Sequence, residues 1–421
     1  MLIPRHLLGA VAIQGLGAAA TFATGLAIAY WQGPEAQGRY GLLRTAADLV
    51  LALALFGLPQ GMVHALNQRD ASPAELQRLS LRYAAVLLTI AGLGCLLLAA
   101  SGAALLPPWL GGALALLALL AGSIGWVLQG LLRVFALCRG SASLFAWTSV
   151  TPALTLLCGV LLLLLVASQR YELALAASGL VSALLTAWTL RRLRRQPAWS
   201  QGGTVTWRGL LGESGHAFAQ TATLALQAWV TLVLMRWHGA SVAEVGCFVL
   251  AATVFQAFAL PTSFVAPLLF ARISAAVGAG LRYATTRIVA QLVGLSVVAA
   301  LVTLAAVPTV VPAWFGPGYA ATVPAAMVLA VAGPLLVLNR LGVSVLFGQG
   351  RFRLASVHAL LRAMAVPGGL WLVWAVDSVD VVTGAAVAWL GAEVVGVVML
   401  AWCWKGWPMP HDKGDQRWRE A

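Results

Sequence analysis

Arg44 and Asp48 are two charged residues inside the apolar segment RYGLLRTAADLVLAL, which runs from Arg39 to Leu53. A spacing of four residues places both side chains on one face of a helix. A guanidinium group binds phosphate through two parallel hydrogen bonds and stays charged, so Arg44 can bind an anionic ligand while Asp48 holds it in place. The alternative is a structural pair that neutralises itself and extends toward the end of the helix.

A second set of polar residues recurs in steps of three and four along the apolar segment 213–236, which places them in one narrow stripe on a helix. Its members are Glu213, His216, Gln220, Thr223, Gln227 and Thr231. A weaker stripe in the segment 8–31 begins at Gln14. Such stripes face either a water-filled cavity or a partner helix. The acid and the histidine favour a cavity wall for segment 213–236, and both interpretations stay open for segment 8–31.

Glu393 lies near the middle of the last apolar segment of the chain. An unpaired carboxylate in such a segment becomes protonated or costs several kcal/mol. Glu393 and Glu213 are therefore candidate acids for coupling to protons or cations. For Glu393, a neutral and hydrogen-bonded structural acid is an equal alternative.

The composition is that of an integral membrane protein, with 61% hydrophobic and 9% charged residues among 421. A soluble domain has about 25% charged residues. The net charge of +13 comes from basic residues that lie mostly in short loops between apolar segments. This pattern predicts cytoplasmic loops rather than a surface for nucleic acid. Phosphate-binding, dinucleotide-binding and metal-ligand motifs do not occur in the sequence, so we expect neither an enzyme nor a cofactor.

Twelve apolar segments predict an all-α polytopic membrane protein, because backbone groups in lipid must form their hydrogen bonds within a helix. The predicted spans are 8–31, 40–66, 83–101, 110–134, 143–167, 172–190, 213–236, 245–270, 287–307, 322–347, 354–376 and 381–404. Arginine and lysine residues concentrate on one side of this arrangement. Both termini are therefore predicted to be cytoplasmic.

The two halves of the chain repeat each other. FGLPQGMV at Phe56 matches FALPTSFV at Phe258, and LPPWLGG at Leu106 matches VPAWFGP at Val311. A repeat with an even number of spans predicts two six-helix lobes related by a pseudo-two-fold axis along the membrane normal. The predicted parts are a lobe at 1–190, a cytoplasmic linker at 191–212, a lobe at 213–404 and a cytoplasmic tail at 405–421.

Two stretches resemble the polysaccharide exporters of the multidrug/oligosaccharidyl-lipid/polysaccharide superfamily. They are AIAYWQGPEAQGRYGLLRTAADLVLALALFGLPQGMVHAL and WFGPGYAATVPAAMVLA. The resemblance covers nearly the whole chain in the number and spacing of spans, and its motifs are loose. The chain lacks the two further spans usual in lipid II flippases. It also lacks the acid that multidrug exporters often carry in the first span. Both departures favour the branch that handles sugar-linked lipids.

The resemblance implies a pair of six-helix lobes that flip undecaprenyl-diphosphate-linked oligosaccharides by alternating access in a bacterial inner membrane. Membrane lipids, a glycan polymerase and glycosyltransferases are the partners to expect, and nucleic acid is not. The predicted substrate-binding residues are Arg44, Asp48, Gln14, Glu213, His216, Gln220 and Gln227. Two alternatives stay open. One is a cation-coupled exporter of small amphipathic compounds with Glu213, Glu393 and Asp48 as coupling acids, and the other is a non-transporting scaffold for glycan-synthesis enzymes.

Overall fold

The structure of the protein is a computed structural model with an all-helical architecture. It describes residues 5–68, 71–100, 113–139, 142–195, 199, 203–262, 282–348, 351–375 and 379–405. Within these ranges β structure is limited to one isolated bridge between Ala71 and Gly203. The predicted fold class, an all-α polytopic membrane protein, is confirmed.

Twelve α-helices and one short 3₁₀ helix at Pro317–Tyr319 make up the described part of the chain. The α-helices are α1 (Arg5–Leu55), α2 (Leu58–Gln68), α3 (Pro73–Ala100), α4 (Ala113–Arg139), α5 (Ala142–Leu165), α6 (Tyr171–Leu193), α7 (Trp207–Trp237), α8 (Val242–Ala257), α9 (Arg282–Phe315), α10 (Thr322–Gly348), α11 (Phe352–Trp374) and α12 (Val381–Lys405).

Every predicted span overlaps one of these helices, and the described part contains eight helices long and apolar enough to cross a membrane. The first of them covers 44 residues, Ala12–Leu55, which is long enough for two crossings. Gly33 interrupts it with a φ of 79° and a ψ of −175°, and Pro34 follows. Two predicted spans therefore form the two arms of α1 on either side of Gly33.

The second predicted span, 40–66, is broken near its end. α1 ends at Leu55, a turn at Phe56 and Gly57 follows, and α2 begins at Leu58. Gly57 has a φ of 67°, and a Cβ at this position would overlap the backbone of Ser214 in α7. The turn thus needs a glycine both for its conformation and for its close approach to α7.

The repeat found in the sequence is visible in the backbone. In the second half, α8 ends before a turn at Phe258 and Ala259, and a helical segment begins at Leu260. In the first half, α1 ends before the turn at Phe56 and Gly57 in the same way. Gly239, which follows α7, has a positive φ like Gly33 between the arms of α1. The corresponding motif at Leu106 lies outside the described residues.

Packing divides the chain into two compact units, Met1–Trp229 and Val230–Ala421. The boundary between the units falls within α7. The predicted lobes 1–190 and 213–404, with the linker 191–212 and the tail 405–421, stay a prediction.

In the first unit, α4 and α6 cross at a contact made by glycine residues. A Cβ at Gly125 would overlap the backbone of Gly179, and a Cβ at Gly179 would overlap the backbone of Gly122. Small residues of this kind let two membrane helices approach until their backbones touch. α1 packs along α5 in the same unit, with Gly17 against the side chain of Val150.

The chain between α6 and α7 is anchored to the first unit. Trp199 packs against Phe135 at a centroid distance of 5.2 Å, and Trp207 packs against Tyr83 at 5.9 Å. Arg194 Nε donates a hydrogen bond of 2.8 Å to Gln77 Oε1. Trp199 and Leu210 both belong to the buried apolar core of this unit.

In the second unit, α10 packs against α8, α9 and α12, and α11 packs along α12. Gly396 of α12 faces the side chains of Asn339 and Arg362, and a Cβ there would overlap both. The missing side chain leaves room for polar groups between α10, α11 and α12.

Candidate functional site

Arg44 is held in the second arm of α1 by contacts on two sides. Its Nε atom donates a hydrogen bond of 3.0 Å to Asp48 Oδ2, and its guanidinium carbon lies 4.7 Å from the ring centroid of Trp126 in α4. A cation over an indole face is attracted by the electrons of the ring. The two contacts fix both the plane and the direction of the guanidinium group.

Trp126 is itself locked in place. Its indole N–H donates to Ser178 Oγ at 3.2 Å, and Thr155 Oγ1 donates to the same atom at 3.2 Å. Ser178 Oγ donates in turn to the carbonyl oxygen of Pro152 at 2.7 Å. Residues from α4, α5 and α6 therefore support the ring on which Arg44 rests.

The Arg44 guanidinium has hydrogen-bonding capacity left for a ligand. Its side chain is 29% exposed and that of Asp48 is 39% exposed. Within the described part of the chain, the hydrogen bond from Nε to Asp48 is the one that the guanidinium makes. The terminal nitrogens can therefore donate two parallel bonds to one anionic group.

The polar stripe of α7 is described only in part. Thr223, Gln227 and Thr231 are buried, and Thr231 Oγ1 accepts a 2.8 Å hydrogen bond from the indole N–H of Trp389 in α12. Thr231 thus packs against a partner helix. Glu213, His216 and Gln220 lie in α7, and their side chains are outside the described residues.

In the polar stripe of segment 8–31, the threonine hydroxyl groups donate hydrogen bonds to carbonyl groups of their own helix. Thr21 and Thr24 donate to the carbonyl oxygens of Gly17 and Ala20 at 3.0 and 2.8 Å. Gln14 is half-buried in the first arm of α1. The hydroxyl groups of this stripe therefore have their hydrogen bonds within α1, which leaves both interpretations of the stripe open, and a role for Gln14 in substrate binding stays a prediction.

Glu393 belongs to a buried polar cluster that joins three helices, made by Asn339, His358, Arg362 and Glu393. Glu393 Oε1 pairs with a terminal nitrogen of Arg362. Asn339 Nδ2 donates to Glu393 Oε2 at 2.6 Å and to its carbonyl oxygen at 2.9 Å. His358 Nε2 lies 3.1 Å from Asn339 Oδ1. Glu393 is thus an ion-paired carboxylate rather than an isolated acid.

Sequence reasoning missed the partners of Glu393. His358 and Arg362 stand four residues apart on α11, which is the same pattern that singled out Arg44 and Asp48. Asn339 has no such companion in sequence. In the described part of the chain, no group of three or more His, Cys, Asp or Glu side chains is arranged to hold a metal ion.

Comparison with known proteins shows the fold. No protein-family model matches the sequence, and no curated protein matches it. An inward-facing multidrug resistance MATE family transporter of the MOP superfamily has a TM-score of 0.72 at 15% identity, over 94% of this chain and 96% of the other. The lipid II flippase MurJ in an inward closed conformation has a TM-score of 0.71 at 11% identity, over 96% and 88%.

A third solved structure, a complex of the MATE multidrug transporter DinF-BH, has a TM-score of 0.65 at 15% identity over 96% of this chain and 96% of the other. All three cover nearly the whole chain. The polytopic fold is therefore the one that MATE and MurJ transporters share.

Proposed function

We propose that this protein is a flippase that moves an undecaprenyl-diphosphate-linked oligosaccharide across the bacterial inner membrane for the synthesis of surface polysaccharide. Arg44 binds the diphosphate and Asp48 positions Arg44. The sugars are contacted by four residues of α7, namely Glu213, His216, Gln220 and Gln227. The protein acts by alternating access, both termini are cytoplasmic, and no bond is made or broken in the substrate.

The single observation that carries this proposal is the geometry of Arg44. The guanidinium group is fixed by Asp48 and Trp126, while the Arg44 side chain as a whole stays 29% exposed. A rigid guanidinium fork matches the spacing of phosphate oxygens, and a diphosphate offers several of them. The MurJ fold likeness supports a lipid cargo, since MurJ is by its name a lipid II flippase.

Replacement of Arg44 tests the site. We expect Arg44→Ala to abolish the export of surface glycan, because the charge that meets the diphosphate is lost. Arg44→Lys should retain part of the activity, because an ammonium keeps the charge without the planar fork. The measurement is surface glycan per cell at equal abundance of the protein in the membrane.

Arg39 provides a matched control on the same helix. It forms a 2.6 Å ion pair with Glu35 at the same four-residue spacing, and its side chain is 47% exposed. Arg39→Ala removes an equal charge and should leave export near the normal level, since exposed pairs of this kind contribute little. Normal export by the Arg44→Ala protein would remove Arg44 from the site.

A cation-coupled exporter of small amphipathic compounds is the second candidate. MATE multidrug transporters share this fold, and Asp48 is a partly exposed carboxylate in the first unit. In that case Asp48 would exchange Arg44 for a proton or cation, and Arg44 would not meet the cargo.

Mass spectrometry of lipids that co-purify with the protein separates the two candidates. A bound polyprenyl-diphosphate glycan that is lost in Arg44→Ala supports the flippase. Drug resistance conferred on a sensitised host, and lost in Asp48→Asn, supports the exporter. The sugars themselves will be read from the fragment ions of the bound lipid.

A further inference from the structure

Arg340 lies beside the buried cluster of Asn339, His358, Arg362 and Glu393 in the second unit. It directly follows Asn339 on α10 and lies within electrostatic reach of both Arg362 and Glu393. Two guanidinium groups therefore lie near one carboxylate, which forms its ion pair with Arg362 alone. A metal cation is disfavoured in such a surrounding, because the cluster already carries more positive than negative charge.

The other carboxylates described in this unit are engaged elsewhere. Glu244 accepts a 2.7 Å hydrogen bond from the backbone N–H of Ser241 at the start of α8. Asp380 accepts hydrogen bonds of 3.1 and 2.9 Å from the backbone N–H groups of Val382 and Thr383 at the start of α12. Among the described residues of the unit, Glu393 is thus the one carboxylate close to Arg340.

Glu393 has no oxygen left for Arg340. One oxygen pairs with Arg362 and the other accepts from Asn339. The Nε atoms of Arg340 and Arg362 are both buried and have no hydrogen-bond partner among the described residues. A buried donor without an acceptor is costly, and more so when it belongs to a charged group.

We propose that Arg340, supported by Arg362, binds a phosphate group between α10 and α11. The phosphate belongs either to the headgroup of an anionic lipid or to a soluble phosphate compound, since both offer the oxygens that a guanidinium requires. Arg340 lies about 12 Å along the helix before the end of α10, at 1.5 Å per residue, and its flexible stem extends its reach toward a headgroup. The inference uses residues of the second unit only and does not rest on the proposed function.

Binding of dioleoyl-phosphatidylglycerol to the purified full-length chain tests the proposal. Native mass spectrometry and the shift in unfolding temperature give the affinity, with phosphatidylcholine as the neutral reference lipid. We expect Arg340→Gln to weaken phosphatidylglycerol binding about tenfold, as expected for loss of one charge-assisted contact. Arg340→Lys keeps the charge, so its affinity for phosphatidylglycerol should lie between those of the natural protein and Arg340→Gln. The lysine variant also provides the test if Arg340→Gln does not fold.

Two further variants separate anion binding from a structural role. Arg353→Gln removes an exposed arginine at the start of α11 and should change binding less than twofold. Glu393→Gln keeps the shape of the side chain but frees Arg362 from its ion pair. It should therefore bind phosphatidylglycerol more tightly than the natural protein, whereas a merely structural cluster predicts weaker binding.

Competition with inorganic pyrophosphate distinguishes the two sources of phosphate. Displacement of phosphatidylglycerol by pyrophosphate supports a soluble phosphate compound, and failure to displace it supports a lipid headgroup. Equal binding of phosphatidylglycerol by the natural protein and by both Arg340 variants would overturn the site. Weaker binding in Glu393→Gln would do the same.

Discussion

The chain stabilises an arginine inside apolar helices in two different ways. Arg44 pairs with Asp48 on its own helix and both side chains are partly exposed, whereas Arg362 pairs with Glu393 across two helices with side chains only 6% and 1% exposed. Water screens the first pair and not the second, so the free energies of the two pairs differ. The accessible pair is suited to meeting a ligand, and the buried pair holds helices together.

At Asp48, we expect function to change more than stability. Asp48→Asn should alter the free energy of unfolding by no more than about 1 kcal/mol, because a partly exposed ion pair contributes little. Export should nevertheless fall, because Arg44 loses the charge that directs its guanidinium group. Thermal unfolding of the purified protein and surface glycan per cell are the two measurements. Glu35→Gln is the control for loss of an equivalent acid, and unchanged export in Asp48→Asn would make the pair structural.

At Arg362, by contrast, we expect a large change in stability. Arg362→Met leaves the buried Glu393 without its ion-pair partner and should cost about 3–5 kcal/mol of stability. The double variant Arg362→Met, Glu393→Gln removes both charges of the pair and should recover a large part of that loss. The measurement is the unfolding temperature with the amount of monodisperse protein. A double variant less stable than Arg362→Met alone would contradict the ion-pair explanation.

At the scale of helices, the sequence predicts the elements themselves better than the contacts between them. Apolar segments and the positions of charges predicted the long helices, and the repeated FGLP and FALP motifs matched two real breaks in the backbone. The cluster around Glu393 could not be predicted from the sequence. Asn339, Arg362 and Glu393 belong to three helices whose faces meet only through tertiary packing. The α4–α6 crossing was equally hidden, because Gly122 and Gly125 do not reveal that Gly179 is their partner.

That crossing gives a prediction for α4 and α6. Gly179→Ala should destabilise the first unit by about 1–3 kcal/mol, because a methyl group there overlaps the backbone of Gly122 and the helices must separate. Gly294→Ala in α9 is the matched control, since a Cβ there meets nothing within 4 Å. The control should be neutral or more stable by up to about 1 kcal/mol, as alanine favours helix. Equal unfolding temperatures for the two variants would show that the crossing tolerates a methyl group.

At the scale of the whole molecule, the fold does not select the cargo. MATE multidrug transporters and a lipid II flippase share this architecture at 11–15% identity to the chain. A fold of this kind supports several transport functions, so the cargo is decided by the residues of the site. The structure places Arg44 in the first unit, in the arm of α1 that follows the Gly33 turn.

The contacts of that turn, together with the positions of arginine residues, predict the side of the membrane on which Arg44 lies. Gln32 Nε2 donates to the carbonyl oxygen of Ser168 at 3.3 Å, and Arg39 donates to Gln169 Oε1 at 3.2 Å. The turn of α1 and the loop between α5 and α6 therefore lie on one side. The end of α6, rich in arginine, lies at the other end of that helix, and the arginine residues predict that this end is cytoplasmic.

Reporter fusions test this orientation. Alkaline phosphatase fused after Gln169 should be active, because the enzyme works outside the cytoplasm, and a fluorescent protein fused after Arg195 should fluoresce inside the cell. The basic residues Arg191, Arg192, Arg194 and Arg195 are the physical reason, since arginine-rich loops stay on the cytoplasmic side. Phosphatase activity in a fusion after Arg195 would show that the orientation is opposite to the predicted one. Arg44 would then lie toward the cytoplasmic leaflet, where it would meet the diphosphate on entry rather than on release.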